Sequence, residues 1–156
     1  MIEQICQDME KLLQKSQNAM GIDYGLKKTG IAITDTQLKN AFPITTIKTS
    51  STEILLKEIN TLIIKYNVGL FVLGVPDSQS YDDKVFQEFG QMLRFATKLP
   101  LYFQDEYRTT REAQEKLSAA GFKAGKAERM DDQIAAKLIL DDFLDKWRYL
   151  KLKISV

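Results

Sequence analysis

The chain has 156 residues, of which 22 are Lys or Arg and 21 are Asp or Glu, and its hydrophobic fraction of 44% is that of an ordinary single globular domain. The near-zero net charge excludes a polybasic, histone-like protein, although local basic patches can still bind nucleic acid. The chain has no histidine and a single cysteine, Cys6, so Ser–His or Cys–His catalysis, histidine-ligated zinc and an internal disulfide are excluded.

The first part of the chain predicts a helix followed by three strands. Apolar residues at helical spacing predict an amphipathic helix over residues 2–15. Apolar segments separated by turns predict an antiparallel meander of strands over residues 19–26, 29–35 and 41–48. Ser50 and Glu53 fit a capping box, which predicts a helix from there to about Tyr66.

The second part predicts alternating strands and helices. We expect strands over residues 69–74 and 100–104, and helices over residues 81–98, 109–120 and 130–147. Pro76 and Asp77 are expected to end the first of these strands, and residues 121–129 predict a mobile loop. A meander followed by βα units predicts an α/β fold, one mixed five-stranded sheet with helices on both faces.

The predicted domain covers residues 19–147, with an N-terminal helical extension over 1–18 and a C-terminal tail over 148–156 that forms a loose strand or an ordered arm. No apolar run approaches the roughly 18 residues that span a membrane. The acidic N-terminus lacks the apolar core of a signal peptide. We therefore expect a cytoplasmic protein without a membrane partner.

Three acidic residues stand out by their positions. Asp23 lies within an apolar predicted strand, where a carboxylate is costly unless it is paired, hydrogen-bonded or bound to metal. Glu106 follows the predicted strand over 100–104, and Asp132 lies at the start of the last predicted helix. Because sites collect at the carboxyl ends of strands in such sheets, we predict that these carboxylates converge on one edge.

Clustered carboxylates without histidine favour Mg²⁺, which prefers oxygen ligands, and two such ions can promote hydrolysis of a phosphodiester. Singly, each residue has a simpler interpretation: helix capping for Asp131 or Asp132 and a surface ion pair for Glu106. Helical phase favours Asp132 as the ligand and Asp131 as a capping or accessory residue, because the face of Asp132 is apolar and includes two small residues. That face comprises Ala135, Ala136, Ile139 and Phe143.

Basic residues are concentrated close to the acidic ones. Six basic residues and three glutamates lie between Arg108 and Arg129, whereas residues 131–145 contain five aspartates and one lysine. A basic surface beside an acidic pocket is typical of a nuclease, although a solvated helix and an ordinary loop explain the same charges. The residues predicted to contact nucleic acid are Lys27, Lys28, Arg108, Arg111, Lys123, Lys126 and Arg129.

Five blocks, in order between about Met20 and Leu144, resemble the RuvX (YqgF) family. They are Gly21–Gly25, then Gly30–Asp35 with Ala41–Pro43, Gly74–Pro76, Asp105-Glu106 with Thr109-Thr110, and Asp132–Ala136. The resemblance implies an RNase H-like fold similar to the RuvC-type Holliday junction resolvases. It matches Asp23, Glu106 and Asp132 to the family's acidic triad, which implies catalysis with Mg²⁺ or Mn²⁺ bound by all three.

The same resemblance implies an endonuclease that acts on structured RNA or branched DNA, either in 5′-end processing of pre-16S ribosomal RNA, with ribosomal precursor particles as partners, or in Holliday junction resolution. The chain departs from the family's pattern at Lys27-Lys28, where Lys-Arg is usual, so bidentate phosphate geometry is lost. At Tyr107-Arg108 the arginine lies one place later than in the family, and at 77–80 the usual turn is replaced. These changes bear on substrate contacts more than on the metal site.

Two other functions fit parts of the pattern. A non-catalytic nucleic-acid-binding or ribosome-assembly factor would keep the fold without cleavage; the shifted arginine favours it, and the intact carboxylates oppose it. An actin-like ATPase or sugar kinase also has a Gly-Ile-Asp-x-Gly phosphate loop. Those proteins need two such domains, whereas 156 residues accommodate one.

Overall fold

The computed structural model describes residues 2–76, 84–106 and 124–154, and of Glu106 and residues 124–131 it describes the backbone alone. The elements within these ranges are α1 (Ile2–Lys15), β1 (Asn18–Asp23), β2 (Lys28–Thr34), β3 (Ala41–Lys48), α2 (Thr52–Tyr66), β4 (Val68–Pro76), α3 (Lys84–Thr97), β5 (Leu101–Glu106) and α4 (Ala124–Ile154). The helix predicted over residues 109–120 lies outside the described residues.

The strands form one mixed sheet in the order β3-β2-β1-β4-β5. β1, β2 and β3 are the predicted antiparallel meander, and β4 and β5 are added in parallel on the other side of β1. The predicted mixed five-stranded α/β fold is therefore confirmed. Because β1, β4 and β5 run parallel, their carboxyl ends lie at the same edge of the sheet.

Different helices cover the two faces of the sheet. α1 and α4 cover one face, here called the α4 face, with a core that includes Met9, Ala19, Ala32, Ile139 and Phe143. α2 and α3 cover the opposite face, here called the α2–α3 face, with a core that includes Met20, Ile22, Ile59, Phe71 and Leu93. The predicted N-terminal helix is thus present and packs into the core, while the division of the chain into extension, domain and tail stays a prediction.

α4 begins earlier than predicted. It starts at Ala124, so the prediction of a mobile loop is wrong for residues 124–129. Alanine, lysine, glutamate and arginine are strong helix formers, and together they outweigh the cost of Gly125. Asp131 and Asp132 consequently lie within the helix rather than at its start, which makes the capping interpretation of either residue wrong.

α4 also ends later than predicted. Residues 148–154 are helical, in contrast to the expected strand or arm, because Trp147 and Leu150 are buried on the α4 face. The Arg148 guanidinium donates hydrogen bonds to two carbonyl oxygens in the β2–β3 turn, which attaches this part of the helix to the sheet. Although α4 is 31 residues long, neither it nor any other helix within the described ranges is apolar enough to cross a membrane.

Several element ends differ from the predicted ones by a few residues. The N-cap of α2 is Ser51 rather than Ser50, and its hydroxyl accepts a hydrogen bond from the backbone N–H three residues on, at 3.1 Å. β1 ends at Asp23, three residues before the predicted end. β4 and β5 continue to Pro76 and Glu106, which pair with each other. Proline is accommodated there because β1 has already ended at Asp23, so only β5 pairs with this end of β4.

Candidate functional site

A row of residues crosses the α4 face at the carboxyl end of β1. Asp23 pairs with Gly30 of β2, which pairs with Thr46 of β3. On the other side, the register of β1 with β4 places Asp23 level with Gly74, and Gly74 pairs with Gln104 of β5. One carboxylate therefore lies between two glycines, with a polar side chain at each end of the row.

α4 reaches this row at Gly30. A Cβ atom added to Gly30 would overlap the backbone carbonyl of Asp132, so only glycine lets the helix lie this close to β2. A Cβ atom added to Gly21 would likewise come within 2.5 Å of the Leu140 side chain and 2.8 Å of a helix carbonyl oxygen. Because Gly30 is the cross-strand partner of Asp23, the helix places Asp132 one strand away from Asp23.

The environment of Asp132 raises its proton affinity. Burial raises the pKa of the Asp132 carboxyl above its ordinary value of 3.8, and the nearby Lys28 ammonium lowers it in part. Lys28 is exposed at the first position of β2, two residues before Gly30 and on the same face of the strand. A bound cation would favour the ionised carboxylate in the same way that Lys28 does.

Glu106 ends β5 at the same edge of the sheet. It pairs with Pro76 and lies two residues beyond Gln104, which is level with Asp23. Only its backbone is described, so the convergence of its side chain with the other two carboxylates stays a prediction. Among the described side chains, which do not include that of Glu106, no three His, Cys, Asp or Glu residues are grouped closely enough to hold a metal ion.

The turn after β1 carries two exposed lysines and is held in place by contacts with neighbouring elements. The Tyr24 ring stacks on Phe89 of α3, with 4.0 Å between ring centroids and 11° between ring planes. The backbone N–H of Thr49 donates to the carbonyl oxygen of Lys27 at 2.9 Å. The turn is therefore held at both ends, and Lys27 and Lys28 extend from it into solvent. Sequence analysis did not single out Tyr24, although strand alternation places it on the α2–α3 face.

The other predicted nucleic-acid contacts are only partly located. Lys126 and Arg129 lie in the first turns of α4, about 9 Å and about 5 Å along the helix axis from Asp132. Their side chains are outside the described part of the chain. Arg108, Arg111 and Lys123 lie wholly outside the described residues, so all five contacts stay predictions.

Sequence analysis also missed Gln104. The residue is only 8% exposed, and its Nε2 donates weakly to the Asp105 carbonyl oxygen at 3.4 Å. Its Oε1 is buried and has no hydrogen-bond partner among the described residues. The available signal was a glutamine within an apolar strand, two positions before Glu106 and on the same side of the strand by alternation.

These donors fit a hard divalent cation. Asp23 and Asp132 bring carboxylates to neighbouring positions, and Gln104 adds a buried amide oxygen to the same row. Oxygen donors of this kind suit Mg²⁺ or Mn²⁺ rather than metals that select sulfur or imidazole. The chain contains no imidazole, and its one thiol belongs to α1.

The chain is similar in sequence to curated proteins of Rickettsia species. A candidate pre-16S rRNA nuclease of Rickettsia rickettsii (strain Sheila Smith) is 34% identical over 149 residues, which cover 93% of this chain and 97% of that one. Another, of Rickettsia felis, is 32% identical over 154 residues, which cover 96% of this chain and all of that one.

Solved structures share the fold. T. thermophilus RuvC in complex with a Holliday junction substrate superposes with a TM-score of 0.52 at 14% identity, over 79% of this chain and 91% of that one. The Fowlpox virus resolvase in complex with Holliday junction DNA gives a TM-score of 0.55 at 12% identity, over 83% and 98%. At such identities the likeness establishes the fold alone, the RNase H-like fold that the sequence motifs implied.

The family model that matches this chain agrees with those motifs. It is the model of RuvX, described as Holliday junction resolvase, and it matches residues 17–146. The matched range contains β1 to β5 and most of α4, with Asp23, Glu106 and Asp132. On the extent of this match and the identity to its relatives, the chain belongs to the RuvX family.

Proposed function

We propose that this chain is a metal-dependent endonuclease that hydrolyses phosphodiester bonds in structured RNA, and that it processes the 5′ end of pre-16S ribosomal RNA on precursor particles in the cytoplasm. The contact of the Asp132 backbone with Gly30, directly opposite Asp23, is the observation that carries this proposal. The names of the Rickettsia relatives support RNA as the substrate.

The three carboxylates have one role in this proposal. Asp23, Glu106 and Asp132 hold Mg²⁺ or Mn²⁺, which when bound polarises a phosphate oxygen and lowers the pKa of a bound water. The chain supplies the setting: Asp132 is partly buried, which strengthens its electrostatic interactions, and Lys28 favours its ionised form. Gly30 keeps the helix, and therefore Asp132, at its position beside β1.

The basic residues position the substrate. Lys27 and Lys28 extend from the supported turn beside the carboxylates and are proposed to contact phosphates on one side of the cleavage site. Phosphate contacts of this kind set the orientation of the nucleic acid without reading its sequence. The remaining proposed contacts are Arg108, Arg111, Lys123, Lys126 and Arg129.

The test of this function is cleavage of a substrate panel with Mg²⁺, with Mn²⁺ and with EDTA. The panel contains a structured RNA spanning a 5′ precursor junction, a four-way DNA junction and a linear duplex. Asp23→Asn should remove cleavage, and Asp145→Asn serves as the matched control because Asp145 is an exposed carboxylate paired with Arg148 at 3.2 Å. Cleavage that survives EDTA or Asp23→Asn would contradict the proposal, and preferential cleavage of the DNA junction would reassign the substrate.

The lysine contacts have their own test. Replacing Lys27 and Lys28 together by alanine should weaken RNA binding for all sequences and reduce the slope of log affinity against log salt by about 1–2, because fewer counterions are released. Lys57 and Lys65, exposed lysines of α2 on the other face, provide the matched double-alanine control. An equal change of slope in both double variants would show that the turn has no special contact.

A further inference from the structure

We propose that Gln104 is an additional binding residue of this site, whose amide oxygen accepts a hydrogen bond from water that a divalent metal ion holds beside Asp23. The inference rests on the proposed metal-dependent function and extends it by a residue that follows from burial and register. Magnesium-type ions keep several of their water ligands in proteins, so acceptors for those waters belong to such a site.

The state of the Gln104 side chain points to a missing partner. Its Nε2 donates weakly to the Asp105 carbonyl oxygen at 3.4 Å, and its Oε1 is buried without a partner among the described residues. Buried polar atoms are nearly always hydrogen-bonded, because leaving one unpaired costs free energy. An unpaired oxygen of this kind is therefore accounted for when a bound ligand donates the missing hydrogen bond.

The position of Gln104 identifies that ligand. Gln104 and Asp23 occupy the same level of the α4 face, two strands or about 10 Å apart. Gly74 lies between them and contributes no side chain to the row. A hydrated cation held by Asp23 is a ligand of the right size and chemistry for this space, since its waters donate and Gln104 accepts.

The opposite end of the row provides an internal control. Thr46 is also two strands from Asp23, and its Oγ1 is likewise buried without a partner among the described residues. On that side, however, the backbone of Asp132 occupies the space over Gly30. The two residues thus share an unpaired buried oxygen and the same spacing, but they differ in what lies between them and Asp23. On the Gln104 side this is Gly74, which has no side chain, and on the Thr46 side the Asp132 backbone lies over Gly30.

The experiment compares Gln104→Leu with Thr46→Val in the full chain. Both substitutions remove an unpaired buried oxygen, so both should raise the melting temperature of the metal-free protein. Calorimetric titration with Mn²⁺ alone should show affinity lowered about 10-fold or more by Gln104→Leu, as for other residues that support metal ligands, and unchanged by Thr46→Val. Wild-type Mn²⁺ affinity in Gln104→Leu would overturn the inference.

Further outcomes separate this inference from the proposed function. If the wild-type chain binds no Mn²⁺, the metal-dependent function itself fails. Gln104→Glu keeps an acceptor oxygen of the same reach, and should retain or increase Mn²⁺ affinity while lowering the melting temperature of the metal-free protein. If Gln104→Leu does not fold, Gln104→Glu provides the test instead. Reduced Mn²⁺ affinity in Gln104→Glu would also overturn the inference.

Discussion

The two faces of the sheet use the same strands in different ways. On the α4 face, β1 and β2 present the small residues Ala19, Gly21, Gly30 and Ala32; on the α2–α3 face they present the large residues Met20, Ile22, Ile31 and Ile33. α4 can therefore approach the strands to backbone contact, whereas α2 and α3 pack against long side chains. Close approach positions Asp132 beside Asp23, while the opposite face supplies buried apolar area.

This comparison predicts that stability and chemistry can be separated by face. A truncation on the α2–α3 face should cost stability and leave metal binding intact. A change on the α4 face near Gly30 should lower metal affinity strongly even where it lowers the free energy of unfolding only a little. Four substitutions test this separation of stability from metal binding, and their expected effects decrease from Phe71→Ala to Tyr102→Phe.

Phe71→Ala is expected to have the largest effect on stability. Phe71 is fully buried in the interior strand β4 on the α2–α3 face. Its truncation should lower the free energy of unfolding by about 3–5 kcal/mol, as measured by urea denaturation. Cleavage per folded molecule should be unchanged at a temperature where the variant is folded. A loss of Mn²⁺ binding under those conditions would show that the two faces are not independent.

Asp132→Asn should lower the metal-dependent cleavage rate at least about 100-fold, or about 2.7 kcal/mol in activation free energy, with little change in circular dichroism. Asp131→Asn is the matched change and should keep most of the activity. The ranking is a prediction from helical phase: Ala136, Ile139 and Phe143 on the Asp132 side of α4 are buried, and Leu138 on the Asp131 side is buried as well. The reverse ranking would mean that the ligand-bearing side of the helix is rotated by one residue.

Gly30→Ala should lower the free energy of unfolding by about 1–3 kcal/mol, because the new methyl group overlaps the backbone of Asp132 and displaces α4. Mn²⁺ affinity measured by calorimetry should fall as well, since Asp132 moves with the helix. Gly69→Ala is the control: its methyl group would meet side-chain atoms of Leu12 and Gln17, which can move more easily. Equal losses of Mn²⁺ affinity in both variants would contradict the assignment.

Tyr102→Phe should have the smallest effect, a loss of about 1–2 kcal/mol in the free energy of unfolding. The Tyr102 hydroxyl donates to Asp8 of α1 at 2.6 Å, which joins that helix to β5 two positions before Gln104. Burial and this hydrogen bond raise the pKa of Tyr102 above its ordinary value of 10.0. Cleavage activity should not change.

The Tyr102 contribution should also depend on pH. Because the folded pKa is raised, the stabilisation is fully present below pH 10, the pKa of the unfolded chain, and is lost as the pH rises toward the folded pKa. The stability difference between wild type and Tyr102→Phe should therefore shrink above pH 10 in alkaline denaturation experiments. A difference that is constant or grows with pH would contradict this account.

Local sequence predicted much of the fold but misplaced the surroundings of Asp132. The capping box of α2 was assigned one residue early, since Ser50 and Ser51 are chemically equivalent and only backbone geometry selects Ser51. The prediction of a loop before Asp132 gave Gly125 and its basic neighbours too much weight. The same residues are compatible with a solvated loop or a helix, and tertiary packing further along α4 favours the helix.

Within the described residues, the sequence by itself determined the order of the strands and of the helices between them, because apolar periodicity and turn residues act over short distances. It also determined that Asp23 lies in the first strand, on the same face as the small residues of β1, since strand side chains alternate. That the strand ends at Asp23 is a finding of the structure. Only the tertiary structure decided that Gln104, Gly74 and Asp23 lie in one row, because register between parallel strands depends on contacts between distant parts of the chain. The tertiary structure also decided the approach of Asp132 to Gly30, because that approach depends on how the helix packs on the sheet.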